Sequence, residues 1–585
     1  MKLLKLIFKN IRWYHGIMIV LILGLTFVQV WCNMTLTDDM QELIEAIYLA
    51  HYGLGGTDEI WSAALWMVAW AAFSMLAQAG VAIMAALVSA GMVSSIRRKL
   101  NEKITNLSME DIKRFQTSSL ITRVTNDVQM IQNMTVIMMA MVFSAPITLV
   151  WGIAKIGDVS WELSYVPAIG ITFMVVALAV SMSFVIPKFG KQQKLLDRVN
   201  GITRENLNGI RVVRAYNAEE YQNAKFDKAN TDLMKVGLFT GRIMNLMNPI
   251  MMITMNGITL GIYWLGASLV NSGSVEYSPL VQFVMLATQI MMAFVMILFM
   301  LVFAPRALVS AKRIDEVMSC ESKIKDPEEE SPILDENRGS VEFENVTFGY
   351  PDGDAPVIHN VTFKANKGQT IAFIGTTGCG KSTLVQLSAR LYDVSFGQVK
   401  IDGVNVKNLK QSTLRSLIGY VPQRGVLFSG TVASNIKFGN PELSDEKMKK
   451  AAEVSCAAPF ISEMDGQYEA KIAQGGTNVS GGQRQRLCIA RAIANDPEFL
   501  VFDDSFSALD FKTDKQVREN LKNEYPNATK MIVAQRVGTI MDADIIVCLK
   551  DGQVVGTGAH RELLDNCDEY REIALSQLSK EELGL

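Results

Sequence analysis

Six long apolar runs occupy the first half of the chain, at roughly 14–34, 61–95, 134–154, 163–187, 243–270 and 278–304. Each reaches the ~20 residues that carry a helix across a bilayer core, so the pattern predicts six transmembrane helices. The polar stretches between them differ sharply in charge. Arg97–Gln132 carries 7 Lys/Arg, Lys188–Arg242 carries 11 and the first twelve residues carry 4, whereas 35–60, 155–162 and 271–277 together hold only Lys155. Basic loops stay on the cytoplasmic side. This assigns the N-terminus, both long loops and everything after the sixth run to the cytoplasm. Apolar residues recur at three and four in "LITRVTNDVQMIQ" and "LNGIRVVRAYNAEEYQNAKF", so the spans are expected to continue as helices beyond the membrane, as plain connectors or as docking elements. The start has the basic-then-apolar order of a signal peptide, but its apolar run is long and no small-residue cleavage site follows. It is read as a retained first span.

After residue 319 the periodicity changes. Residues 320–340, "CESKIKDPEEESPILDENRGS", are acidic, contain proline and lack an apolar period, as a linker does. From Val341 short β-rich runs ("SVEFENVTF", "QTIAFIG", "FLVFDD", "MIVAQR", "DIIVCL") alternate with helical stretches. The expected fold is therefore an α-helical membrane domain over 1–319, six helices extended into the cytoplasm, followed over 341–585 by an α/β P-loop nucleotide-binding domain with a helical subdomain and a largely parallel sheet.

Composition agrees with this division. The 585 residues are 49% hydrophobic with 32 Met, and 56 basic against 59 acidic residues leave no polycationic surface for nucleic acid. The lipid bilayer is the expected partner. Seven cysteines show no metal-ligand spacing and are read as reduced cytosolic thiols.

The segment "IAFIGTTGCGKST" sets an apolar strand before Gly375, Gly378, Gly380, Lys381, Ser382 and Thr383, with a helical stretch behind them. That is a Walker A loop in its strand-loop-helix context. Its backbone N–H groups and helix start suit phosphates, Lys381 suits the β and γ phosphates, and the Ser382 hydroxyl suits Mg2+. The loop predicts a nucleoside triphosphate with Mg2+, ATP or GTP, and by itself leaves kinases, GTPases, helicases and transport ATPases open. Far along the chain, Ser480, Gly481, Gly482 and Gln483 present a hydroxyl and bare amides ahead of a second helix. One nucleotide does not need two clamps, so the second is expected to close on a nucleotide held by another copy of the domain.

These motifs give the chain a resemblance, over nearly its whole length, to an ABC transporter half-unit of the exporter type. The resemblance implies that Ser480–Gln483 is the signature motif, that Gln423 in "GYVPQRGVLFSGT" is the Q-loop glutamine near Mg2+, that Tyr350 stacks on adenine, and that Asp510 in "SALD" belongs to the D-loop. It also implies that Asp503 organises Mg2+, and that the loop helices act as coupling helices. The signature begins with Val479, where the family usually has Leu.

Two positions depart further. The family usually follows the Walker B Asp with a Glu that orients the attacking water; this chain has Asp504. Its carboxylate stops roughly an ångström short, a displacement that can cost ~100-fold in rate. The family's switch His is here Gln535, which can donate a hydrogen bond but cannot carry a proton. The ATP-holding residues are intact. The expectation is a site that binds ATP and is relieved of hydrolysis, in a heterodimer whose partner half-transporter supplies Glu and His at these positions. A homodimer that hydrolyses slowly, and an ATP-gated sensor without net transport, are the competing readings.

The fifth and sixth spans carry a candidate substrate face. Asn245, Asn248, Met252, Met255 and Thr259, and Gln282, Met285, Gln289, Met292 and Met296, each repeat at three and four, and ten methionines lie from Met244 to Met300. Polarizable thioethers beside uncharged amides suit a cavity for small amphipathic compounds; the same residues also serve as helix-helix filler and interhelical hydrogen bonds. Pro249 is expected to bend the fifth span.

Overall fold

A computed structural model describes residues 13–159, 161–273, 276–351, 353 and 355–583. The basic first twelve residues lie outside the described residues, as do the side chains of 158, 159 and 298–305, Met300 among them. The helices are α1 (Trp13–His51), α2 (Thr57–Thr105), α3 (Met109–Phe115), α4 (Val128–Ile137), α5 (Ser144–Val159), α6 (Tyr165–Asn208), α7 (Ile210–Ala215), α8 (Glu219–Asn271) and α9 (Tyr277–Met318). Among the described residues six helical segments are long and apolar enough to cross a membrane. They overrun the apolar runs. Residues 35–51 continue α1 because "TLTDDMQELIEAIYLAH" is rich in Leu, Met, Glu, Gln and Ala, all good helix formers. The expected outer loop shrinks to a turn around Gly53, whose φ of 70° suits glycine. At the other end α6 runs 21 residues past the fourth apolar run, and α8 begins 24 residues before the fifth. Pro249 sits inside the unbroken α8.

The chain forms two compact units: Met1–Thr105 with Ser118–Ser319, and Asn106–Thr117 with Cys320–Leu585. In the first, α1 packs on α2, α6 on α8, and α9 on α5 and α1. Its core gathers Met34, Ile262, Phe283, Leu286 and Ile290, while Trp61, Val68, Phe173 and Trp264 stay exposed, an apolar outer surface suited to lipid. Several polar groups within this unit are paired across helices. Lys155 of α5 bonds the Asp38 carboxylate of α1 and the Met34 carbonyl (3.1 Å), and Gln282 of α9 donates to the other Asp38 oxygen (2.6 Å). Toward the cytoplasmic end, buried Arg123 donates to the Arg313 carbonyl and Glu316, and Ser310 donates to buried Asp127.

In the second unit the strands are β1 (Val341–Phe348), β2 (Ile358–Ala365), β3 (Thr370–Gly375), β4 (Phe396–Ile401), β5 (Val404–Asn405), β6 (Ile418–Val421), β7 (Gly430–Thr431), β8 (Lys471–Ile472), β9 (Phe499–Asp503), β10 (Thr529–Val533), β11 (Ile545–Lys550) and β12 (Gln553–Gly558). A six-stranded sheet has the order β12-β11-β3-β10-β9-β6, parallel except for β11-β12; a smaller antiparallel sheet runs β2-β1-β4-β5. Strands β9 and β10 are buried at every residue, Asp503, Thr529 and Lys530 included, as strands of a doubly covered parallel sheet are.

The β4-β5 hairpin turns on Asp402-Gly403, both with positive φ (53° and 73°), the backbone that favours Asp-Gly. One Asp402 oxygen accepts from the Gly339 N–H (2.7 Å); the other is buried with no partner among the described residues. Burial pushes this carboxyl up to about 6 from 3.8. A carboxyl whose pKa is raised by folding favours the fold while protonated, and that contribution is lost as pH rises from about 4 through about 6. Asp402→Asn keeps the turn and removes the charge. It is expected to stabilise the protein by roughly 2 kcal/mol at pH 7.5, with the gain in melting temperature shrinking below pH 6 and vanishing near pH 4.

Candidate nucleotide site

The parallel register assembles the site. Val533 lies opposite both Phe373 and Asp503, and Val421 lies opposite Phe502. The loops after β3, β6, β9 and β10 therefore leave one edge of the sheet, the carboxyl edge, where open α/β sheets bind ligands. Those loops carry the Walker A residues, Gln423, Asp504 and Gln535.

The Walker A loop needs its glycines. Gly375 (φ 152°) leaves no room for a Cβ, which would lie 2.1 Å from the Leu549 carbonyl oxygen, and at Gly380 (φ 98°) a Cβ would lie 2.4 Å from Ile358. Gly380 caps the N-terminus of α10 (Lys381–Ser388). The Lys381 ammonium, buried, donates to the carbonyls of Gly375 and Thr376 at 2.8 Å each. The Ser382 hydroxyl donates to Asp503 at 2.5 Å, and Tyr420 donates to the second Asp503 oxygen at 3.4 Å. Burial raises the Asp503 carboxyl above the ordinary range, against the pull of those two hydrogen bonds. A hydroxyl and a carboxylate held together at the head of a helix form the hard-oxygen set that suits Mg2+ beside a phosphate.

Asp504 has different neighbours. Its backbone is left-handed (φ 47°), and its N–H reaches the Val533 carbonyl at 3.0 Å. One carboxylate oxygen accepts from two side-chain amides, Gln535 Nε2 at 2.8 Å and Gln423 Nε2 at 3.1 Å. Gln577 fixes the switch segment by donating to the Gln535 carbonyl and accepting from the Val537 N–H, both at 2.8 Å.

Tyr350, the residue expected under adenine, shares a hydrogen bond with the Thr383 hydroxyl at 3.1 Å. Lys113 of α3 lies over its ring, 4.7 Å from the centroid, and over that of Tyr392, at 5.2 Å. Ser480 and Gln483 form a reciprocal cap on α11 (Gly481–Ile493), with Ser480 and Gly481 exposed and a Cβ on Gly482 only 3.4 Å from the Ala508 carbonyl. Asp510 caps α12 (Phe511–Glu524) through the Thr513 N–H, which draws its carboxyl below the usual range. The structure thus links Lys381, Ser382, Asp503, Asp504, Gln423 and Gln535 on one edge and sets Ser480–Gln483 on a separate, exposed helix start.

Sequence reasoning missed Tyr420, Lys113 and Gln577. Tyr420 is the penultimate residue of β6, three residues before Gln423, a position a strand-end reading would flag; the other two carry no local signal. In the membrane unit Gln282 bonds Asp38 and Gln289 donates to the Asn33 carbonyl (3.3 Å), whereas Asn245, Asn248, Met252 and Met292 are exposed and Met255, Met285 and Met296 half-buried.

Fold and site together define a membrane-embedded P-loop ATPase. Residues 16–294 match the family profile of the ABC transporter transmembrane region, and residues 358–507 match that of the ABC transporter ATP-binding domain. An uncharacterized ABC transporter ATP-binding protein of Mycobacterium tuberculosis is 38% identical over 506 residues, 86% of this chain and 87% of that protein. A putative multidrug export ATP-binding/permease protein of Staphylococcus aureus is 30% identical over 482 residues, 82% of each. The fold matches a bacterial Atm1-family ABC exporter solved with ATP bound, at a TM-score of 0.80 and 22% identity, over 97% of this chain and 98% of that one. The chain belongs to the ABC transporters, as an exporter half-transporter: a multi-pass inner-membrane protein whose cytoplasmic ATPase domain drives transport.

If Ser382 and Asp503 share a metal, Ser382→Ala should weaken Mg2+-ATP binding by about tenfold, the worth of one charge-assisted contact. Binding of ATP in excess chelator should barely change. Titration calorimetry under both conditions checks this.

Proposed function

We propose that this chain is one subunit of a heterodimeric exporter of amphipathic compounds, binding ATP at its own Walker site without hydrolysing it efficiently. The observation that carries the reading is the pair of amides on Asp504. A general base needs a free lone pair aimed at water. Here Gln535 and Gln423 donate to the same oxygen, and neither amide takes up a proton at neutral pH. That oxygen, Oδ2, is held as an acceptor for the chain's own amides, and the shortened acid is left with only Oδ1 to aim at water.

In this reading Lys381 and the loop amides bind the phosphates, Ser382, Asp503 and Gln423 hold Mg2+, and Tyr350 stacks on adenine. Mg2+ neutralises phosphate charge; the chain's residues orient the nucleotide and keep it. The exposed Ser480–Gln483 surface and Asp510 complete the site of a partner that carries Glu and His. Residues 1–319, 320–340 and 341–585 serve as membrane domain, linker and motor. A drug-like or lipid-like cargo agrees with the putative multidrug export role named for the Staphylococcus aureus relative and with the exposed amides and thioethers of Asn245, Asn248, Met252 and Met292.

Steady-state ATP turnover by the chain purified alone tests the reading, with nucleotide binding measured in parallel. Binding with negligible turnover is expected, and the Asp504→Glu, Gln535→His double variant should raise turnover by about 100-fold. Ordinary turnover by the wild type would instead make Asp504 a competent residue and the transporter a homodimer. In the partnered transporter Asp504→Ala should change turnover little and Ser480→Arg should abolish most of it; equal losses would overturn the division of labour.

A further inference from the structure

The switch segment is capped from outside. The short helix that follows Gln535, Val537–Ile540, has Arg536 at its N-cap, and the Arg536 side chain makes no capping hydrogen bond. Helix starts leave N–H groups that need a partner. Here the partner is Gln577, 40 residues away, the last residue of α13 (Asp568–Gln577). Its amide oxygen accepts from the Val537 N–H and its Nε2 donates to the Gln535 carbonyl, both at 2.8 Å. One side-chain amide thus brackets the backbone on either side of Arg536, as a neighbouring peptide group would, and fixes the direction in which the Gln535 side chain leaves the chain.

The bracket is mounted on a held frame. Tyr570 and Ala574 of α13 are fully buried, Tyr570 shares a 2.6 Å hydrogen bond with His560, and Lys550 of β11 pairs with Glu569. The helix packs on β3, the strand that leads into the Walker A loop, and on Val537–Ile540. Further along the short helix Thr539 donates to buried Asp514 at 3.0 Å. Gln577 itself is exposed, so replacing it removes two hydrogen bonds and little packing.

The Gln535 Nε2 donates to Asp504 at 2.8 Å, and a primary amide carries a second N–H. Asp504 directly follows Asp503, which is bonded to Ser382, and that places the Gln535 amide beside the Mg2+ and terminal-phosphate end of a P-loop site. ADP has no phosphate there. We infer that Gln577 is a positioning residue for nucleotide choice: through the Gln535 backbone it aims the Gln535 amide at the γ-phosphate, and so sets how far the site prefers ATP to ADP. The inference rests on the reading that this Walker site holds ATP, and it is independent of whether Asp504 supports hydrolysis.

The test uses the full chain in nanodiscs and compares binding of Mg2+ with β,γ-imido-ATP and of Mg2+ with ADP by titration calorimetry. The proteins are the wild type, Gln577→Ala, Gln535→Ala and the double variant. Gln577→Ala should weaken binding of the triphosphate analogue about fivefold and leave ADP within about twofold, with the melting temperature of the nucleotide-free protein nearly unchanged. Gln577→Met, of similar length and unable to make either bond, should show the same split. In the Gln535→Ala background, loss of Gln577 should add nothing, because the amide it aims is gone. Equal losses for both nucleotides, no loss for either, or losses that add in the double variant would overturn the inference. A wild type that binds neither nucleotide would sink the ATP-site reading and this inference with it, whereas normal binding of both with no shift at Gln577 would sink this inference alone.

Discussion

Everything at the nucleotide site depends on the parallel register of β3, β10 and β9. With Val533 opposite both Phe373 and Asp503, three loops that are distant in sequence start from one line. A slip of one residue would turn each strand's side chains to the other face. Strands buried on both faces do not resist such a slip by alternation. Beyond the strand end, the Asp504 N–H bonded to the Val533 carbonyl carries the β9-β10 pairing into the loop. The left-handed backbone at Asp504 then gives two adjacent acids different company. Asp503 meets the Ser382 and Tyr420 hydroxyls and Asp504 meets the amides of Gln423 and Gln535. Two neighbouring carboxylates are thereby given different hydrogen-bond partners across one peptide bond.

The membrane unit obeys a different constraint. Lipid offers no hydrogen bonds, so polar side chains in or near the spans must find partners inside the protein. Asp38, Lys155 and Gln282 do so across three helices, α1, α5 and α9. Gln289 joins the same pair of helices as Gln282. Two of the amides on the sixth span are therefore spent on interhelical bonding, and Met285 between them is half-buried. The amides of the fifth span, Asn245 and Asn248, are instead exposed.

The six spans, the α/β order of the second half and the Walker loop were legible because each is written locally, as a run length, a period or a spacing. The length of α1 was not. Hydropathy stops where polar residues begin, but helix propensity in "TLTDDMQELIEAIYLAH" does not; the cytoplasmic reach of α8, by contrast, follows the three-and-four period of "LNGIRVVRAYNAEEYQNAKF". Pairings across long separations were equally invisible: Lys155 was read as the lone basic residue of an outer loop, and its partner lies 117 residues away. The Asp504 and Gln535 substitutions stood out singly, whereas their mutual hydrogen bond required the fold. Tyr420 and Gln577 act through geometry alone.

One segment breaks the division of the chain into a front half and a back half. Asn106–Thr117 lies between the second and third spans in sequence, yet belongs to the same compact unit as Cys320–Leu585. There Lys113 covers the rings of Tyr350 and Tyr392, and Glu110 pairs with Lys323. A soluble fragment begun at Val341 would thus be a domain missing one of its own helices, with two tyrosines unroofed. Its stability and nucleotide affinity would describe an amputated fold, and chimaeras joined at the linker would inherit a mismatched roof unless residues 106–117 travelled with the motor they cover.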